Sequence, residues 1–294
     1  MWIFDEDDFD GVESPVSSQP FYVEGFVHIV HQKDPVLICR DMNSYKIPSY
    51  IVSKNKLDMG DWVECIVCYN TAVRRHLVTE VERVNGVSAH SKEARYPSFD
   101  QIESCAPSTV IKFDNHEIKL GTRILVDLGD STDKISSMMN AQITGVNTTR
   151  IALIVDECDY CIKELTKAGF SSVFLTRPDV GLKKQITAAL FAHFFAKSEA
   201  KNGKHVILFV ESLSKLVRLY NKVNYKDTDG MIEMDKIYVG SLEDVKNLYL
   251  SSKQTVTGGS LTAVAFCHEP RTKMEEFIFT DFIELANKII RPAS

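Results

Sequence analysis

The chain has 294 residues, 44% of them hydrophobic and 25% charged, the composition of an ordinary soluble protein with room for about two domains. No apolar run approaches the roughly 20 residues that span a bilayer, and the acidic start MWIFDEDDFD lacks both the basic and the apolar parts of a signal peptide. Neither a membrane-spanning nor a secreted class is expected, nor a membrane partner, and a cytoplasmic location is.

The net charge of −6 has a local origin. Residues 1–20 carry Asp5, Glu6, Asp7, Asp8, Asp10 and Glu13 with no Lys or Arg, while the other 34 acids balance 34 bases. This acidic tail is expected to be disordered, and the acidic average does not argue against a nucleic-acid partner. From 21 to 84 the chain reads as all-β: FYVEGFVHIVH, PVLICR, YKIPSYIVS, DWVECIVCYN and HLVTEVERV are strand-like runs divided by turn signals such as Met59-Gly60-Asp61. Strands this short and this many suit a small barrel of the OB-fold kind.

Residues 85–120 read as a connector that opens on a polar stretch with Gly86 and Pro97. From 121 to 294 strands alternate with helices, the signature of an α/β domain with a mostly parallel sheet. RILVDL, RIALIVDE, SVFLT, HVILFVE and SLTAVAFC are continuous apolar runs, as strands buried on both faces should be. Leu182, Ile186, Leu190 and Phe194 recur at helical spacing and Asn202-Gly203 supplies a stop, with His193 on or beside the apolar stripe as a core histidine.

Seven cysteines include two C-x-x-C pairs, Cys65/Cys68 and Cys158/Cys161, on paper a four-thiolate zinc site. Cys65 and Cys68 fall in a strand-like run, where an offset of three sends the side chains to opposite faces, so no metal site is expected.

The stretch LGDSTDKIS, Leu128 to Ser136, stands where a strand should open into a phosphate-binding loop. Such a loop needs glycines that let amides wrap phosphate, a Lys for the outer phosphates and a hydroxyl for magnesium. Lys134 is present, but Asp133 stands in place of the second glycine, after Thr132, and Ile135 in place of the hydroxyl. A side chain where φ is positive costs about 1–2 kcal/mol. A carboxylate about 5 Å from a phosphate charge adds roughly 3 kcal/mol of repulsion at an effective dielectric near 20. Together these weaken nucleotide binding on the order of a thousandfold.

The order of these pieces resembles the bacterial transcription termination factor Rho family, from about Val23 to Asn287. IPSYIVSKNKLDMGDWVEC is similar to the part of the family's RNA-binding barrel that ends in a Thr-Gly-Asp-type turn. RYPSFDQIESCAPS resembles its connector, GTRILVD its strand into the P-loop, and ESLSKLVRLYN its Asp-Ser-Ile-Thr-Arg stretch. GGSLTAVA and KMEEFIFTDF match two further runs. The resemblance implies a RecA-type motor domain after an OB-like barrel, with ATP and magnesium as cofactors, single-stranded RNA as ligand and a ring-shaped oligomer.

Residue by residue, the resemblance places Lys134, Asp133 and Thr132 in the nucleotide loop, Glu157 at the water-activating position and Glu211 at the magnesium-associated one. Acids at strand ends also serve as helix caps, an alternative reading of both glutamates. The family's arginine finger corresponds to a segment beyond Ser294, so that trans-acting cation and efficient hydrolysis are expected to be missing and the domain to be C-terminally truncated. In the barrel, Val36 and Ile38 replace the family's stacking rings, leaving Tyr45 as a platform and Arg40, Lys46, Lys54 and Lys56 for phosphate. Lys273 matches a lysine of a channel loop.

Three functions stay open on these residues. The first is a Rho-like RNA-binding regulator with hydrolysis lost, associating with a Rho ring or the transcription machinery. The second is an active RNA-dependent ATPase or helicase using Lys134, Glu157 and Glu211. The third is an interaction module that binds neither ligand.

Overall fold

In the computed structural model, residues 19–29, 35–91, 97–113, 116–129, 143–155, 160–225, 237–267 and 270–291 are described. The acidic residues 1–18 and the second C-x-x-C pair's Cys158 lie outside them. The chain divides into two compact units, Met1–Ser98 and Phe99–Ser294.

The first unit contains β1 (Phe21–His28), β2 (Val36–Cys39), β3 (Ser44–Lys46), α1 (Ser49–Asn55), β4 (Trp62–Asn70), β5 (Arg75–Val84) and the short β6 (Val87–Ser88). β1 pairs antiparallel with both β2 and β4, β4 with β5, and β2 with β3. A parallel link from Lys46 to Leu77 joins β3 to β5, so five strands close into a ring. Alternation fills its interior: Val63, Cys65 and Val67 are buried, whereas Glu64, Ile66 and Cys68 between them are only partly so. Gly25 of β1 pairs with Cys39 on one side and Val63 on the other. A Cβ there would collide with the Ile38 carbonyl, so this position requires glycine.

One strand reading is corrected here. IPSYIVS was expected to continue a strand, but after Pro48 it turns into α1, which buries Ile51 and Asn55 one turn apart. The β-branched Ile51 and Val52 suggest a strand locally, yet Ile51 belongs to the barrel core together with Ile47 and Leu57, and that burial decides the outcome. The Met59-Gly60-Asp61 turn is tied by Asp61, whose carboxylate accepts from the Asp58 N–H (2.8 Å) and from Asn85 Nδ2 (2.7 Å). Cys65 faces the core, where burial pushes its thiol up to about 12, and Cys68 lies 3.4 Å from Thr79 Oγ1. Among the described residues no three His, Cys, Asp or Glu side chains gather as metal ligands.

The second unit begins inside the stretch read as a connector. A 3-10 turn at Phe99–Gln101 is held by buried Lys197, whose Nζ lies 2.9 Å from Asp100 Oδ2, and by Lys253, which donates to the Ile102 carbonyl (2.8 Å). Then come β7 (Ser104–Cys105), β8 (Val110–Phe113), β9 (His116–Lys119), β10 (Arg123–Asp127), β11 (Ile143–Thr144) and β12 (Thr149–Val155). They are followed by α2 (Tyr160–Lys167), β13 (Ser172–Thr176), α3 (Leu182–Lys201), β14 (His205–Val210), α4 (Leu213–Tyr225) and α5 (Val239–Leu250). β15 (Lys253–Thr255), β16 (Ser260–Cys267), α6 (Lys273–Leu285) and β17 (Lys288–Ile290) complete the unit.

The main sheet runs β13-β12-β14-β16-β10-β17, and every neighbouring pair in that order is parallel. Ile124, Val126, Ile154, Ile207, Phe209, Val264 and Phe266 form one core with Leu165 of α2 and with Ile111, Phe113 and Ile118 of the small β11-β8-β9 sheet. α3 packs against β12, β13, β14 and β16. Its His193 is buried: the ring Nε2 lies 3.1 Å from Ser251 Oγ, which itself donates to the Leu248 carbonyl. Ser251 therefore accepts from an Nε2–H tautomer, and Nδ1 has no partner among the described residues. No described helix is long and apolar enough to cross a membrane.

Candidate nucleotide edge and nucleic-acid face

Because the six strands are parallel, their carboxyl ends share one edge, the place where open α/β sheets hold ligands. β10 ends there at Asp127. The Leu128 N–H donates to the Cys267 carbonyl (3.0 Å), and Gly129 follows with φ +55°. Its N–H donates to Asp127 Oδ1 (3.1 Å), while Asp127 Oδ2 accepts from Arg291 Nε (3.0 Å), the residue after β17. The Gly129 amide is thus already taken by a carboxylate, in a place where a phosphate loop would offer amides to a ligand.

Glu211 lies on the same edge at the end of β14 and is almost fully buried. Its N–H donates to the Leu153 carbonyl (2.9 Å), and Lys215, one turn into α4, brings Nζ to 3.4 Å from Glu211 Oε1 and 3.2 Å from the Val155 carbonyl. The capping reading of Glu211 gives way to Ser212, whose Oγ accepts the Lys215 N–H (3.3 Å). Thr132, Asp133, Lys134 and Glu157 lie outside the described residues, so Glu211 is the member of the expected nucleotide set that the structure locates.

On the barrel, Arg40 is exposed in the turn after β2, and Tyr45 and Lys46 are half-buried on β3. The Tyr45 ring meets Phe21 edge-on (5.9 Å), Phe21 meets His76 (5.4 Å), and His76 meets Tyr69 (5.2 Å). A row of four half-buried rings therefore crosses β3, β1, β5 and β4. Burial raises the Tyr45 phenol to about 12, so it stays protonated and able to donate. Lys46 pairs with Leu77 next to His76, and the β4–β5 turn that Tyr69 and His76 flank presents exposed Arg74.

Phe21, Tyr69 and His76 escaped the sequence reading, which searched for rings only where the resemblance put them. Tyr69 and His76 could have been found as register partners across a tight turn. Lys273 is exposed at the first position of α6, in the other unit from Arg40, Tyr45 and Lys46. Thr272 caps that helix by accepting from the Glu275 N–H (3.2 Å), and Arg218 holds the Glu275 carboxylate (2.6 Å).

No family model matches the chain. Transcription termination factor Rho of Gemmatimonas aurantiaca is 24% identical over 302 residues, covering 90% of this chain and 40% of that protein. Rho of Thermotoga maritima is 28% identical over 159 residues, covering 50% and 37%, and Rho of Borreliella burgdorferi 21% over 228 residues, covering 71% and 44%. The chain is Rho-like. This Rho-like chain spans about two fifths of the length of the relatives it matches. A solved ATPase from the type III secretion system of pathogenic bacteria shares its fold with a TM-score of 0.55 at 14% identity, over 65% of this chain and 58% of that one. With the parallel sheet, that likeness makes the larger unit an α/β domain.

Proposed function

We propose that this chain is a Rho-like, RNA-binding factor of transcription termination whose ATP hydrolysis is lost, acting in association with a Rho ring or the transcription machinery. The row of rings on the barrel carries this reading. Successive bases of a single strand stack on aromatic faces while cations follow the backbone, and Tyr45, Phe21, His76 and Tyr69 beside Lys46 and Arg74 offer both. The strand order and the placement of α1 between β3 and β4 support the reading of an OB-type barrel, a frequent host for such ligands. The loss of hydrolysis is supported by Asp133 and Ile135 in the loop and by Asp127 holding the Gly129 amide. ATP and magnesium would then be held weakly, by Lys134, Thr132 and Glu211, with Glu157 idle.

Single-stranded RNA binding followed by fluorescence anisotropy across a salt series tests the reading. Tyr69→Ala and His76→Ala should each weaken binding by about 1–3 kcal/mol, and affinity should fall as salt rises. Binding that ignores both substitutions would remove it. RNA-stimulated phosphate release that disappears in Lys134→Ala would instead establish the active ATPase.

A further inference from the structure

Among the described residues at the carboxyl edge of the sheet, Arg291 is a cation both oriented and open. The Arg291 side chain is 74% exposed, and its Nε is fixed on Asp127 Oδ2. Its two terminal amino groups bond to nothing among the described residues. Asp127 is itself anchored, since its other oxygen accepts the Gly129 N–H and the residue ends a strand paired on both sides. Two other described cations of this edge are held differently: Lys215 lies with Glu211 and the Val155 carbonyl, and Arg177 with both oxygens of Asp179.

A guanidinium held by one nitrogen keeps a planar fork for a second acceptor, and phosphate oxygens match that fork. We infer that Arg291 is an anion contact, presenting its terminal amino groups to a phosphate of a ligand seated beyond the ends of β10 and β17, with Asp127 as its positioning residue. The ligand class is a di- or triphosphate. The contact is supplied by the residue that follows β17 and needs no divalent metal between protein and phosphate. The inference rests on the reading of this edge as a weak nucleotide site.

The test is an NMR titration of the full chain with pyrophosphate and with ATP, without added metal, following the Arg Nε–Hε signals. The Arg291 signal, identified by its loss in Arg291→Lys, should move and saturate with either ligand. Arg291→Ala should weaken affinity about tenfold, the range of one charge-assisted hydrogen bond at an exposed site. Arg291→Lys should lie between, keeping charge without the fork. Thermal midpoints should agree among the three proteins, because an exposed pair contributes little to stability. Wild-type affinity in Arg291→Ala overturns this inference and leaves the nucleotide reading standing. Absence of any saturable shift with either ligand overturns both.

Discussion

The barrel and the sheet dispose of their cations in opposite ways. On the barrel, Arg40 and Arg74 are exposed, and their side chains bond to nothing among the described residues. On the carboxyl edge of the sheet, Lys215 and Arg291 each sit on a carboxylate of the same unit. Unpaired surface charge beside rings suits a polyanion that is met in many registers and released by salt. Charge already paired leaves little net field, which suits weak and selective capture of one phosphate group. Among the described residues, then, the sheet edge holds two of its cations on carboxylates where the barrel leaves two of its own open.

The largest effect that would sharpen this contrast is in the sheet core. Phe209 is fully buried against Phe113, Phe170 and Phe266, so Phe209→Ala should cost about 3–5 kcal/mol in denaturant unfolding. If RNA affinity stays unchanged in conditions where that variant is still folded, the barrel face acts by itself; a parallel loss would break the division of labour. Next is Gly25→Ala, where overpacking against the Ile38 carbonyl should cost about 1–3 kcal/mol, read from Trp62 fluorescence on denaturation, and should lower RNA affinity with it. Arg40→Ala should reduce the slope of log affinity against log salt by about 1 without changing base preference. An unchanged slope would remove Arg40 from the phosphate path.

The smallest effect depends on pH. Burial, helped by the nearby Lys197 charge, holds His193 well below its ordinary value of 6.5. The unfolded chain therefore binds a proton that the folded chain refuses, so this contribution to stability is complete above about pH 6.5 and declines as pH falls below it. His193→Gln should flatten the fall in thermal midpoint between pH 6.5 and 5 relative to the native chain, and an identical slope in the two proteins would show that other groups govern it.

Much of the fold is legible in the residues. β16, SLTAVAFC, is buried at all eight positions, and such a run can only be a strand covered on both sides. α3 announces itself by Leu182, Ile186, Leu190 and Phe194 and ends at Asn202, as the stop signal implies. The expectation of a damaged loop rests on Asp133 and Ile135 as residue types, and both lie outside the described residues. What misled was local: Ile51 and Val52 favour a strand by propensity, whereas burial of Ile51 in the core with Ile47 and Leu57 favours the helix.

The sequence alone thus determined the periodic elements and the acidic composition of the first twenty residues, because each follows from residues a few positions apart. Tertiary structure alone decided which rings meet and which charges cancel. Phe21, Tyr45, Tyr69 and His76 become one row only through the register of four strands, and Asp127 finds Arg291 only because β17 adds beside β10. Strand order is set by the burial of whole faces, a sum over the entire domain that no short stretch of chain records.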